Sequence, residues 1–155
     1  MKIAVGADHA GYELKEIIAE QLRAADHEVV DVGTDSTDSV DYPDFAAALG
    51  RAVVDGTAER GILICGSGAG ASIAANKLKG VRATVAHDAY TAHQAVEHDD
   101  INVLTLGARV IGVAQATELV KAYVGAEFTG EERHLRRVGK VKQLEEDFGK
   151  SVPPA

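Results

Sequence analysis

Five short runs rich in Val, Ile and Leu recur along the chain, and a helix-length segment follows each of them. They cover residues 2–6, 27–32, 61–65, 81–86 and 102–106. Continuous apolar runs are typical of strands buried on both faces, and strands separated by helices are joined by right-handed crossovers into a parallel sheet. The pattern predicts an α/β fold, a three-layer α/β/α sandwich with a Rossmann-like five-stranded parallel sheet.

The segments between these runs have helical character. In the first, apolar residues recur every three or four positions, at Leu14, Ile17, Ile18 and Leu22, so one helix face should pack on the sheet. Further helices are predicted over residues 44–54, 70–78, 89–97 and 113–124, with a C-terminal helical tail over 131–148. We expect residues 1–155 to form a single domain whose last residues, 150–155, fray.

Charge and cysteine content limit the possible partners and location. The 155 residues carry a formal net charge of -8, which opposes binding to nucleic acid or to an anionic membrane. The first residues run directly into a predicted strand without the basic start and apolar stretch of a signal peptide, so we expect a cytoplasmic protein. Cys65 is the only cysteine, and a reducing compartment keeps it as a thiol.

Cys65 lies where an apolar strand meets a glycine-rich turn that contains Gly66, Gly68 and Gly70. Ligands of open α/β sheets bind outside the carboxyl ends of the strands. Backbone N–H groups in such a turn converge on an anion, and the helix that follows would stabilise a thiolate. Cys65 is therefore a candidate base. A buried inert thiol, or the nucleophile of a cysteine hydrolase with His98 as partner, stays open as an alternative.

Cofactor sites are disfavoured by spacing. The glycines follow a G-x-G-x-G pattern after the third strand, whereas a dinucleotide fingerprint opens the first βαβ unit. A phosphoacceptor receiver domain is also disfavoured, because the third strand ends in Cys65 instead of aspartate. His93 and His98 are five residues apart and do not share a helix face, so no metal is predicted either.

Charged residues at other positions suggest a phosphorylated ligand. Asp8 and His9 follow the first strand, where Asp8 could hold a sugar hydroxyl or simply cap a helix. Arg133 and Arg137 flank an apolar stripe of the tail helix, and two guanidinium groups four residues apart can reach one phosphate. A solvated basic surface is the alternative for this pair. The stripe consists of Val138, Val141, Leu144 and Phe148.

Longer motifs carry a family resemblance. They are GADHAGYELK, DYPDFA, GILICGSGAGASIAANK, HDDINVLTLGARV and GEERHLRRV, and together they are spread over almost the whole chain. In these motifs the chain resembles ribose-5-phosphate isomerase B and its sugar-phosphate isomerase relatives. The resemblance implies interconversion of D-ribose 5-phosphate and D-ribulose 5-phosphate through a cis-enediolate, without metal or cofactor.

The resemblance also implies catalytic roles. Cys65 matches the base that moves a proton between C2 and C1, and His98 matches the residue that opens the furanose ring. Ser67, with the amides of Gly66 to Gly70, matches the site that steadies the enediolate. Some relatives use a glutamate of the glycine loop as the base. This chain has Ala71 there, which leaves Cys65 without a competitor.

Substrate contacts and assembly follow from the same resemblance. Asp8 and Tyr42 match residues that contact substrate hydroxyls or the ring oxygen. The implied phosphate pocket consists of His9, Arg109, Arg133, His134 and Arg137. A homodimer or tetramer with shared sites is implied, and the residues expected from the neighbouring subunit are His98, Arg109 and His134.

Two further points keep alternatives open. Several relatives carry asparagine where this chain has Asp99, whose ionised carboxylate cannot donate a hydrogen bond to an enediolate. Related isomerases act on six-carbon substrates such as allose 6-phosphate or galactose 6-phosphate. A noncatalytic module that binds sugar phosphates is the remaining alternative.

Overall fold

The structure is a computed structural model that describes residues 1–149. Its sheet has five parallel strands in the order β2-β1-β3-β5-β4. The strands are β1 (Lys2–Ala7), β2 (Glu28–Asp31), β3 (Arg60–Cys65), β4 (Ala83–Val85) and β5 (Val103–Gly107). The predicted α/β sandwich with a five-stranded parallel sheet is confirmed.

Helices cover both faces of the sheet. They are α1 (Tyr12–Ala24), α2 (Tyr42–Val54), α3 (Ala69–Ala75), α4 (Ala89–Asp99), α5 (Val113–Gly125) and α6 (Glu132–Phe148). Successive strand residues alternate between two apolar layers, so that Ile64 packs with α1, α4 and α5 and Cys65 packs with α2 and α3. Cys65 is thus the last residue of a strand that is buried on both faces.

The direction of the strand order changes between β1 and β3. The chain moves from β1 outward to β2, then returns to place β3 on the other side of β1. Ala7 pairs with Ile64, so the carboxyl ends of these two strands lie side by side. A crevice at such a switch point is where α/β sheets bind ligands, and Asp8 and Cys65 both lie there.

Most elements differ from the sequence expectation by one to three residues at an end, as three of them illustrate. Strand β4 is shorter than the predicted 81–86, because the amides of Arg82 and Ala83 donate to the side chains of Asn102 (2.7 Å) and Asn76 (2.8 Å). Helix α3 stops at Ala75, and Asn76 turns its amide group toward the backbone of Ala83. Helix α4 continues to Asp99, so His98 lies on its last turn.

Helix α6 is the least embedded element. Its predicted apolar stripe is buried only at Val138, whereas Val141, Leu144 and Phe148 are 53%, 59% and 82% exposed. The stripe forms as predicted, and beyond Val138 most of its surface is left uncovered by residues 1–149. The expected fraying of residues 150–155 lies outside the described residues. In the described part of the chain, every helix is too short or too polar to cross a membrane.

Candidate functional site

Backbone groups hold the thiol of Cys65 at the carboxyl end of β3. The amide N–H of Gly68 donates to Sγ over 3.1 Å, and the cysteine is 5% exposed. Gly68 has a φ of 81°, a left-handed conformation that glycine adopts without strain. This contact holds the sulfur against the backbone of the glycine turn, at the end of the strand.

The turn itself is fixed by the neighbouring strand β5. The hydroxyl of Thr105, which is fully buried, donates to the carbonyl of Gly68 over 3.0 Å. A Cβ at Gly107 would lie 2.6 Å from the backbone of Ser67, so only glycine lets the two segments approach this closely. Turn and strand therefore form one rigid unit around the sulfur.

A cavity of about 350 Å³ opens beside this turn. It is lined by Asp8, Tyr42, Cys65, Gly66, Ser67, Gly70, Arg109 and Val110. The ring of Tyr42 packs closely enough on Gly70 that a Cβ there would lie 2.8 Å from its Cζ. The structure thus brings most of the predicted catalytic and hydroxyl-binding residues together within a single chain.

Asp8 and His9 serve the same edge of the sheet in different ways. One carboxylate oxygen of Asp8 accepts from the amides of Ala10 (2.9 Å) and Gly11 (3.1 Å), which fixes the turn into α1. Asp8 does not cap α1 as the alternative predicted, because the helix begins after Gly11 and its first turn has no side-chain cap. His9 accepts at Nδ1 from the amide of Val40 over 3.1 Å and anchors the loop before α2. It does not line the cavity.

Arg109 departs from its predicted placement. The resemblance implied that it reaches the site from a neighbouring subunit, but here it lines the Cys65 cavity of its own chain. The reason is local. The amide of Arg109 donates to the carbonyl of Gly66 (3.0 Å), and the amide of Ala108 donates to the backbone carbonyl of Cys65 (2.9 Å). This pairing directs the chain after β5 along the glycine turn.

A second group of predicted residues lies between α4 and α6. The rings of His98 and His134 stack with centroids 4.1 Å apart and planes 25° apart. His98 Nδ1 lies 2.9 Å from Gln94 Nε2, and His134 Nδ1 lies 2.6 Å from the hydroxyl of Thr129. Burial lowers the pKa of His134, and the neighbouring His98 lowers it further.

The arginines of α6 surround this pair. Arg137 lines a cavity of about 380 Å³ together with Asp99, while Arg133 is half exposed and pairs with Glu131. The helical wheel predicted that both guanidinium groups point inward, but both residues are exposed within one chain. The cause is the apolar stripe that these arginines flank, because residues 1–149 cover it at Val138 and leave Val141, Leu144 and Phe148 exposed.

The two groups lie at opposite ends of the strands, one at the carboxyl edge of the sheet and the other near its amino edge. Cys65 ends β3, whereas His98 precedes β5, whose first residue pairs with Gly61 at the start of β3. The four steps from Gly61 to Cys65, at about 3.3 Å each, separate the edges by about 13 Å. The dyad of Cys65 and His98 that a cysteine hydrolase needs is therefore not formed within the chain.

Sequence reasoning missed Gln94, Thr105 and Thr129. Two of them could have been noticed in the sequence, because Gln94 is one helical turn before His98 and Thr105 is a polar residue in an apolar strand. Thr129 carried only its position five residues before His134. Within residues 1–149, no three His, Cys, Asp or Glu side chains are grouped closely enough to hold a metal ion.

Comparisons with known proteins agree on one family. Residues 3–141 match the profile of the family described as Ribose/Galactose Isomerase. The chain is 44% identical over 145 residues to ribose-5-phosphate isomerase B of Escherichia coli, covering 94% of this chain and 97% of the relative. It is 40% identical over 144 residues to D-erythrulose-4-phosphate isomerase 2 of Mycolicibacterium smegmatis, covering 91% and 95%.

A solved structure gives the same result for the fold. Ribose-5-phosphate isomerase B of Clostridium thermocellum superimposes with a TM-score of 0.94 at 48% sequence identity. The match covers 96% of this chain and 100% of that one.

Proposed function

The chain belongs to the ribose/galactose isomerase family, and we propose that it interconverts D-ribose 5-phosphate and D-ribulose 5-phosphate. The relatives from Escherichia coli and Clostridium thermocellum are named ribose-5-phosphate isomerase B. The observation that carries the proposal is the sulfur of Cys65, which accepts a hydrogen bond from the Gly68 amide and lies at a cavity that Asp8 and Arg109 also line.

Cys65 acts as the base in this proposal. Its thiolate takes the proton from C2 of the open-chain aldose, the C–H electrons form the C1–C2 double bond, and O1 becomes anionic. The proton on O2 then moves to O1, which leaves O2 anionic. The same sulfur returns its proton to C1, where the electrons of the C1–C2 double bond form the new C–H bond, while the carbonyl forms at C2. Electrons and protons balance within the sugar, so the reaction needs no oxidant, reductant or cofactor. A positioned base of this kind contributes about 10² to 10⁴ in rate.

The glycine turn stabilises the intermediate. Negative charge on O1 and O2 of the cis-enediolate needs donors that are already oriented, as in an oxyanion hole. The hydroxyl of Ser67 and the amides of the turn that make no hydrogen bond within it supply them, since the amides of Gly68 and Ala69 already donate to Cys65 Sγ and Ser67 Oγ. Thr105 and Gly107 keep this turn in place. Asp8 and Tyr42 line the same cavity and contact the sugar hydroxyls.

We further propose that a second copy of the chain completes the site. His98, Arg133, His134 and Arg137 are too far from Cys65 to act on the same sugar within one chain. The exposed apolar residues of α6 support association, because large apolar side chains in a contiguous stripe mark an interaction surface. The neighbouring copy then supplies the ring-opening histidine and the phosphate-binding arginines, whereas Arg109 comes from the same chain as Cys65.

A cytoplasmic location is part of the proposal. Cys65 must stay reduced to act as a base, and cytosolic redox systems keep thiols reduced.

The substrate is tested by kinetics with purified protein. We expect the highest kcat/KM with ribose 5-phosphate and lower values with allose 6-phosphate, galactose 6-phosphate and the four-carbon erythrose 4-phosphate. A preference for a six-carbon phosphate would replace the pentose assignment and keep the reaction class. A covalent acyl group on Cys65 detected by mass spectrometry, without isomerisation of any sugar, would favour a hydrolase instead. Ligand-dependent stabilisation without turnover would indicate a binding module.

A further inference from the structure

His98 is held on two sides by residues with different functions. One face of its ring stacks on His134, which is 2% exposed and is itself tied to Thr129. The Nδ1 edge faces the side-chain amide of Gln94 over 2.9 Å. Within residues 1–149, Nε2 makes no hydrogen bond. The stack fixes the plane of the ring, and the contact with Gln94 fixes which edge points away from α4.

The atom that Gln94 presents decides the tautomer of the neutral ring. An amide nitrogen is a donor and has no acceptor capacity. Nδ1 of His98 must therefore accept the hydrogen bond from Gln94 Nε2, which leaves the ring proton on Nε2. Gln94 and His98 are four residues apart on α4, which is the spacing at which side chains of a helix contact each other.

We propose that Gln94 is a positioning residue that holds His98 in the tautomer with a proton on Nε2 and directs this N–H toward the furanose ring oxygen. The inference rests on the proposed function, in which His98 opens the ring. It adds a role for Gln94, a residue outside the resemblance and outside the cavity at Cys65.

An Nε2–H donor suits the ring-opening step. The bond between C1 and the ring oxygen breaks with its electron pair on the ring oxygen, while the C1 carbonyl forms from the anomeric hydroxyl. The proton lost by that hydroxyl ends on the former ring oxygen, so His98 finishes in its starting state. A hydrogen bond from Nε2 stabilises the negative charge that develops on the leaving oxygen.

The test combines a spectroscopic and a kinetic measurement on the full chain. ¹⁵N chemical shifts of the His98 ring distinguish a protonated nitrogen from an unprotonated one. We expect Nε2 to be protonated in the wild-type protein and Nδ1 to be protonated in Gln94→Glu, because a carboxylate only accepts. Gln94→Leu should give a mixture of tautomers. His93 is an internal control, because it pairs with Glu97 (3.1 Å) and should not change.

The kinetic measurement separates ring opening from proton transfer. Ribose 5-phosphate must open its ring before C2 can react, whereas ribulose 5-phosphate is acyclic because its O5 carries the phosphate. With Gln94→Leu we expect turnover of ribose 5-phosphate to fall about tenfold, less than the about 10² to 10⁴ for loss of an acid–base group. Deuterium exchange at C1 of ribulose 5-phosphate should stay within about twofold of wild type, because it needs no ring opening. Gln21→Leu on α1 is the matched control.

Two results would overturn the inference. One is a wild-type His98 protonated on Nδ1, which needs no variant and is independent of folding. The other is an equal loss of both activities in a folded Gln94→Leu. A wild-type protein that isomerises neither sugar would instead contradict the proposed function, and the ¹⁵N shifts would still report the tautomer.

Discussion

At the scale of single residues, uncharged groups fix the position of the candidate base. The sulfur of Cys65 accepts from the amide of Gly68, and the carbonyl of Gly68 accepts from Thr105 (3.0 Å) and from the amide of Ser72 (3.1 Å). The position of the amide that contacts sulfur therefore depends on a hydroxyl in the neighbouring strand. A side chain remote from the substrate can thus influence the reactivity of the thiol.

Thr105→Val tests this dependence. The substitution removes a buried hydroxyl that donates to Gly68 and keeps the shape of the side chain, so we expect a loss of about 0.5–1.5 kcal/mol in the free energy of unfolding. We also expect a lower kcat, because the Gly68 amide is no longer held at the sulfur. Urea unfolding and steady-state kinetics measure the two effects. Thr105→Ser, which keeps the hydroxyl, is the control, and unchanged stability and kcat in Thr105→Val would disprove the coupling.

At the scale of elements, α6 is distinguished by an apolar face without a partner. Val138 packs on the chain, and the rest of the stripe is exposed. Two contacts tie the last turn of α6 to the loop between α3 and β4, one from the Gly80 amide to Glu145 (3.0 Å) and one from Lys79 to Glu146 (2.6 Å). The helix is thus held in place while its apolar face stays available to a second copy.

Leu144→Glu tests whether this face associates. A charge at the centre of an apolar interface is strongly unfavourable unless it is paired, so we expect sedimentation to show a shift toward monomer and activity to fall with it. Gln143→Glu adds the same charge outside the apolar stripe, about 100° around α6 from Leu144, and should leave both unchanged. If Leu144→Glu kept the mass and the activity of the wild-type assembly, α6 would not be the interface.

The sequence predicted which segments form helices and strands better than it predicted the residues at which they begin and end. Apolar runs located all five strands, because strands buried on both faces must be apolar throughout. Side-chain hydrogen bonds determine where β4 begins, which the apolar run does not show, since Asn76 and Asn102 bind the backbone where the strand was expected to start. The cavity residues at Cys65 were predicted from the strand end. The orientation of Arg133 and Arg137 was not, because the helical wheel assumes that an apolar stripe is covered by its own chain.

At the scale of the whole molecule, the two edges of the sheet carry different halves of the proposed site. Cys65, Asp8 and Arg109 lie at the carboxyl edge, and the stacked pair of His98 and His134 lies near the amino edge. In the proposed symmetric dimer, the carboxyl edge of one copy meets the amino edge of the other at two equivalent places. Each dimer then contains two sites, and each site takes residues from both chains.

Mixing inactive variants tests this sharing. Cys65→Ala and His98→Ala chains refolded together should form mixed dimers in which one of the two sites is fully wild type. With random pairing, we expect about a quarter of wild-type activity to return. Cys65→Ala refolded with Asp8→Ala is the control, because each site then lacks one residue of the carboxyl edge. No recovery in the first mixture would show that one chain supplies both residues.

The proton transfer assigned to Cys65 is the central claim, and deuterium exchange in deuterated water measures it directly. Wild-type protein should isomerise ribose 5-phosphate and introduce deuterium at the carbon that receives the proton. In a folded Cys65→Ala variant, the rates of isomerisation and of exchange should both fall by a factor of about 10² to 10⁴, because the positioned base is gone. Near-normal turnover and exchange in Cys65→Ala would contradict the account.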